Sequence, residues 1–307
     1  MSPLDLVNLT MLGILSAITL LTLPKAHGNV LLIAAYAGMA VLLLTHRKVR
    51  VPWFDYPRRF RQIYPLLYIA LIFDSLAMIV PVVQAWRADD FLMAIDRRML
   101  GVDATIYLER HMYRPAVEVL SYAYMLYFVF PFALIWMLWR AGKLREITHW
   151  ACLITIALYT NYMLYFLFPA VGPRLHIAHT VPLHGMGLSN YLMNALNVLE
   201  SNKFDVFPSA HVNAALVTLY GFARFCRRYV MAASLVVLGI ALATVYLRYH
   251  YVIDVAAGAA LAGITIWAGN CYYRIWAIRD RTAPALEVAA TRNTAGVLQQ
   301  QRHPSRA

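Results

Sequence analysis

Eight long apolar segments decide what this chain can fold into. They fall at about 6–23, 29–45, 64–86, 117–139, 147–168, 210–225, 229–247 and 250–272, and most approach the roughly 20 residues that carry a helix across a bilayer. The expected fold class is therefore all-α: a polytopic integral membrane helical bundle of about eight spans, the last six forming a core. The sixth segment is the shortest. The first is apolar enough for a signal sequence, yet no basic residue precedes it and no small-x-small cleavage site follows, so it reads as a retained helix.

Composition agrees and removes other classes. Of 307 residues 61% are hydrophobic and 14% charged, more apolar surface than a soluble domain of this length needs. The three cysteines, Cys152, Cys226 and Cys271, sit in or beside apolar segments at spacings that suit neither a metal knuckle nor a disulfide framework, which leaves core packing. A net charge of +12 would suit nucleic acid, but the basic residues form no stripe with interleaved aromatics. They lie between the spans, as membrane topology requires, so the expected partner is the bilayer and not nucleic acid.

Counting Lys and Arg between spans gives the orientation. One side collects 47–61, 140–145, 224–228 and the tail from Arg274, with 18 of the 27; the other collects Lys25, 87–114, Arg174, Lys203 and Arg248, with 9. The positive-inside rule puts both termini in the cytoplasm and 169–209 together with 248–250 on the outer face, periplasmic if the membrane is a bacterial inner membrane. Three regions follow: 1–63, two accessory spans and a basic loop; 64–278, the membrane-embedded core; 279–307, a basic tail without apolar periodicity, expected to be disordered. Within 87–116, Phe91, Leu92, Ile95, Met99 and Leu100 recur at helical spacing among Asp89, Asp90, Asp96, Arg97 and Arg98. That pattern predicts a helix lying in the membrane interface and ended by Gly101; a solvated connector is the alternative.

Two outer segment ends carry the chemistry. Phe207-Pro208-Ser209-Ala210-His211 opens one apolar segment, and His250 and Asp254 open another at a spacing of four, which on a helix places the carboxylate against the imidazole. A carboxylate that fixes one ring nitrogen leaves the other free as nucleophile or proton carrier. Pro208 suits a helix start, with Ser209 in the first turn, where free amides and the helix dipole favour an anion. Arg174, at the end of Phe168-Pro169-Ala170-Val171-Gly172-Pro173-Arg174, and Arg248 bring guanidinium forks that match phosphate oxygens. Each residue has a plainer role as well: Ser209 as a helix cap, Arg174 as a side chain reaching lipid headgroups. His176, His179 and His184 cluster at spacings that suit no familiar zinc site, and the intramembrane Asp74 and Asn161 serve equally as packing partners.

Pro208-Ser209-Ala210-His211 resembles the Pro-Ser-Gly-His motif of the phosphatidic acid phosphatase type 2 superfamily, and His250-x-x-x-Asp254 resembles its closing motif. Phe-Pro-Ala-x-Gly-Pro-Arg before the first, and His-Tyr-x-x-Asp-Val in the second, are closest to the inositol phosphorylceramide synthase and inositolphosphotransferase-like branch. The resemblance covers about 64–272. It implies His250 as nucleophile through a phosphohistidine, Asp254 as its orienter, His211 as general acid, and Arg174, Ser209 and Arg248 as holders of the phosphoryl oxygens, with no metal cofactor. The chain departs from the family phosphatases in having Leu167 where they have a lysine and Thr244 where they have an arginine, and Ala210 where they have a glycine.

The expected function is a membrane-embedded lipid phosphatase or phosphotransferase that acts on a phospholipid or lipid phosphate and passes the group to water or a lipid alcohol. A lipid-phosphate binding or transport protein without turnover, and a metal-dependent hydrolase built on the histidine loop, are the rival readings.

Overall fold

The computed structural model describes residues 2–25, 29–45, 66–199 and 201–301, the side chains of Leu199 and of 280–301 excepted. Its elements are α1 (Pro3–Thr22), α2 (Val30–Thr45), α3 (Leu67–Val83), α4 (Asp89–Leu100), α5 (Ala104–Glu109), α6 (Arg114–Arg140), α7 (Leu144–Leu167), α8 (Pro173–His176), α9 (Leu188–Leu199), α10 (Ala210–Phe225), α11 (Val230–Tyr246) and α12 (Val252–Gln301). No strand occurs among the described residues. The chain is an all-helical membrane bundle, as its apolar pattern predicts.

Every apolar segment of the sequence holds a helix, but the helices differ in reach. Among the described residues, five have the length and apolarity of a membrane span: Pro3–Lys25, Arg114–Arg140, Leu144–Leu167, Arg227–Tyr246 and Val252–Arg279. α2 and α3 are apolar but shorter. α10, with 16 residues, is short because it is not a peripheral span: it packs against α6, α7, α11 and α12, and Ala214, Ala215 and Val217 are among its buried residues. The basic loop 47–61 and the boundary at 63 lie outside the described residues; the tail expected from 279 falls on the far end of α12 and beyond.

Local chemistry sets the helix ends that matter for the site. α4 carries Asp89 and Asp90 in its first turn and Arg97 and Arg98 in its last, matching the helix dipole at both ends. Gly101 closes it with φ 75°, the left-handed cap that glycine adopts without a Cβ penalty. α10 starts at Ser209, whose hydroxyl accepts from the Val212 amide at 3.4 Å. α10 and α12 therefore present their N-terminal ends at the same end of the bundle, joined where the Ser209 amide donates to the Asp254 carbonyl at 3.1 Å. Gly258 on α12 allows this approach: a Cβ there would lie 2.5 Å from the Ser209 carbonyl oxygen.

Candidate active site

Two structural details differ from the sequence expectation. Ser209 is the cap of α10, not a residue of its first turn, and Pro208 precedes the helix after a cis peptide bond. His250 lies before α12, in the turn 247–250, so its approach to Asp254 does not come from helical i,i+4 geometry. The start of α12 produces the pairing instead. Asp254 sits in the first turn and accepts the Tyr251 amide at 2.7 Å through Oδ2, and the same oxygen lies 3.4 Å from His250 Nδ1. One carboxylate thus closes the helix start and backs the imidazole.

His250 Nε2 then faces His211 Nδ1 at 3.3 Å. Both histidines and Asp254 are buried. Tyr124 and Tyr127 of α6 flank the His211 ring, with centroids at 4.7 and 4.3 Å, and Tyr124 stacks on Tyr249 at 4.6 Å. The opening motif of α10 and the turn before α12 are brought together as the sequence predicts. The aromatic wall that holds His211 was not visible in the sequence, because Tyr124 and Tyr127 read as two of twenty tyrosines in an apolar chain.

The cations divide into two kinds. Arg174 is held by Asn197 Oδ1 at 3.1 Å and the Tyr249 hydroxyl at 2.5 Å, with its guanidinium over the Tyr249 ring. It lines a cavity of about 280 Å³ whose wall also includes His211, His250, Lys203, Asp205 and Tyr249. Arg248, with φ 66°, is buried and points to Glu109, Nη2 to Oε1 at 3.3 Å. It is not part of the cavity lining, and its Nε and Nη2 make no hydrogen bond. Burial alone would raise the Glu109 carboxyl, but the Thr180 hydroxyl, the Val181 amide and the Arg248 charge outweigh it and hold the group below the ordinary carboxylate value. Ser209 is likewise buried, engaged with α10.

The other polar candidates have structural partners. Asn161 donates to the Pro208 carbonyl at 2.8 Å and accepts from Asn213 at 2.6 Å, which ties the opening motif to α7. His176 meets Asp90 at 3.0 Å and His179 meets Thr105 at 3.2 Å. Among the described residues no group of three or more His, Cys, Asp or Glu is disposed to hold a metal ion. Beside the cavity lies an apolar groove of about 300 Å³ between α3, α6, α7 and α10, lined by Ala70, Phe73, Phe128, Phe132 and Leu158 among others. Asp205 and His211 line both spaces.

Residues 90–268 match the family model of the PAP2 superfamily. The chain belongs to the PAP2 superfamily. The match spans α4 to the middle of α12 and includes every residue of the site just described. The chain is also 28% identical over 111 residues to a PA-phosphatase related-family protein of Dictyostelium discoideum, a stretch that is 34% of this chain and 20% of that relative. No solved structure matches the chain. With the apolar helices, membership in the PAP2 superfamily makes this an integral membrane protein.

Proposed function

We propose that this protein cleaves a lipid phosphate ester or phosphodiester through a phosphohistidine on His250 and passes the phosphoryl-bearing group to water or to a lipid alcohol, in the manner of the inositolphosphotransferase-like branch. The observation that carries the reading is the buried Asp254–His250–His211 line at the wall of a cavity shared with Arg174. A proton on His250 Nδ1, on the Asp254 side, leaves the lone pair on Nε2, which lies against His211 at the cavity wall and turns to phosphorus when substrate enters between the rings. That lone pair forms the N–P bond while the P–O bond to the leaving alcohol breaks. The oxygen departs with the electron pair and takes a proton from His211. In the second half, an oxygen of water or of an alcohol attacks phosphorus, His211 takes its proton, and the N–P electron pair returns to His250. Positioning and charge stabilisation are the main demands of such a transfer.

Arg174 supplies the cavity-lining charge for the phosphoryl oxygens, with Lys203 in the same lining. Ser209 and Arg248 complete the set in this reading, Ser209 from its place as the cap of α10 and Arg248 by turning from its Glu109 partner toward the bound phosphate. The adjoining apolar groove suits the hydrocarbon of a lipid whose phosphate lies at His211. The asymmetry of Lys and Arg supports a site on the outer face with both termini in the cytoplasm.

The test is turnover by the purified protein on a panel of lipid phosphates and phospholipids in excess chelator, beside His250→Ala. Turnover by the wild type alone, with acid-labile phosphate on the protein, supports the mechanism, and the ratio of free phosphate to transferred product separates hydrolase from transferase. Equal turnover by the variant sinks it.

A further inference from the structure

We propose that Asp89 and Asp96 of α4 are positioning residues that hold the Arg174 loop and the His250 turn in one register. The proposal rests on the phosphotransfer reading above. Asp89 is completely buried, yet its carboxylate does not cap its own helix. It accepts the Val171 amide at 3.1 and 3.2 Å, the Gly172 amide at 2.9 Å, and the Tyr251 hydroxyl at 3.1 Å. Asp96 lies seven residues, or two helical turns, further along the same face. It accepts the amides of Val252 and Ile253, both at 2.8 Å.

Those five groups are the ones whose placement decides the site. Val171 and Gly172 lead directly into Arg174, and Tyr251 to Ile253 lie between His250 and Asp254. Val252 and Ile253 open α12, so Asp96 caps that helix from another element; the cap residue Tyr251 has no carboxylate or short hydroxyl to do it. The two loops also meet directly, since the Arg174 amide donates to the Arg248 carbonyl at 2.8 Å. Gly172, at φ 80°, would put a Cβ 2.5 Å from the Tyr249 carbonyl oxygen. The contact between the loops is therefore tight, and α4 fixes it from behind with two buried carboxyl groups. A helix needed only to cover the site would not bury two carboxylates, because unpaired burial of such a group is costly. Here each carboxylate is matched to amides on one specific loop.

The experiment compares Asp89→Asn, Asp96→Asn and Tyr251→Phe with the wild type in detergent. It measures kcat, KM and the inhibition constant of orthovanadate, which imitates the five-coordinate phosphorus, each normalised to the folded fraction. An amide keeps the side chain's size but turns a donor toward one of the backbone donors. Displacement by about an ångström costs roughly 10²-fold in rate. The two Asn variants are expected to lose about that factor in kcat per folded molecule, with KM changed less than threefold and vanadate weakened in parallel with kcat. Tyr251→Phe removes one bond and leaves the backbone contacts, so it folds normally and loses several-fold; it carries the test if an Asn variant fails to fold. Folded variants with wild-type kcat and vanadate affinity overturn the positioning role alone. A wild type that neither turns over nor binds vanadate overturns the phosphotransfer reading, and this proposal with it.

Discussion

His211 and His250 have the same side chain in different surroundings, and in the proposed mechanism that difference gives them different tasks. His250 is backed by Asp254, whereas His211 is enclosed by Tyr124, Tyr127 and the other histidine. Removing the acid should therefore matter in proportion to how poor the leaving group is. His211→Ala is expected to slow cleavage of an alkyl phosphate by about 10²–10⁴ and to slow an aryl phosphate with an acidic phenol far less. Equal loss on both substrates would mean that His211 does something other than protonate. Glu109 makes a second prediction. Its pKa lies below the ordinary value of 4.5, so its contribution to stability is complete above that pH and is lost as pH falls through the folded-state value. Thermal midpoints measured downward from pH 6 should show an acid limb that Glu109→Gln flattens. The histidines and Asp254 were legible in the sequence because they are polar residues at apolar segment ends. Glu109 was not, since the chain separates it from Arg248 by more than 130 residues and no local pattern pairs them.

At the scale of elements, the site depends on how α10 and α12 start, and the sequence showed those starts only in part. It placed both motif ends on one face, and the structure brings them to one end of the bundle. It treated His250 and Asp254 as helical neighbours, whereas the turn before α12 and the Tyr251 amide create their contact. Spacing alone cannot distinguish these cases, because a turn folded onto a helix start brings residues four apart as close as a helix does. Asn161 is similar: its position inside a span flagged it, but only the fold shows that it holds the Pro208 carbonyl and Asn213. Asn161→Ala should leave the buried Pro208 carbonyl without this donor and the Asn213 amide with its bond to the Ala157 carbonyl alone, a loss of about 1–3 kcal/mol. A lower thermal midpoint with a matching fall in turnover is expected. An unchanged midpoint would mean that water takes over both bonds.

At the scale of the whole molecule, the cavity at the histidines and the apolar groove lie side by side. They share Asp205 and His211 as lining, so in the proposed reading a phosphate at the histidines would place an attached hydrocarbon toward α3, α6 and α7. The helix faces beside the groove are apolar out to exposed positions, with Phe128 43% and Phe132 64% accessible, as suits a surface that meets lipid. Burial of a chain there is worth about 0.8 kcal/mol per methylene, so several methylenes would account for much of a lipid's affinity. Filling the groove should therefore act on lipids and not on the chemistry. Ala70 lines the groove and is exposed, so Ala70→Trp occupies it without disturbing the core beneath. KM for a long-chain lipid phosphate is expected to rise at least tenfold. A short soluble phosphate ester, which never enters the groove, should keep its kcat and KM. A uniform loss on both substrates would show that the substitution distorts the site and that the groove does not bind the lipid chain. A change on neither would place the hydrocarbon elsewhere along the bundle.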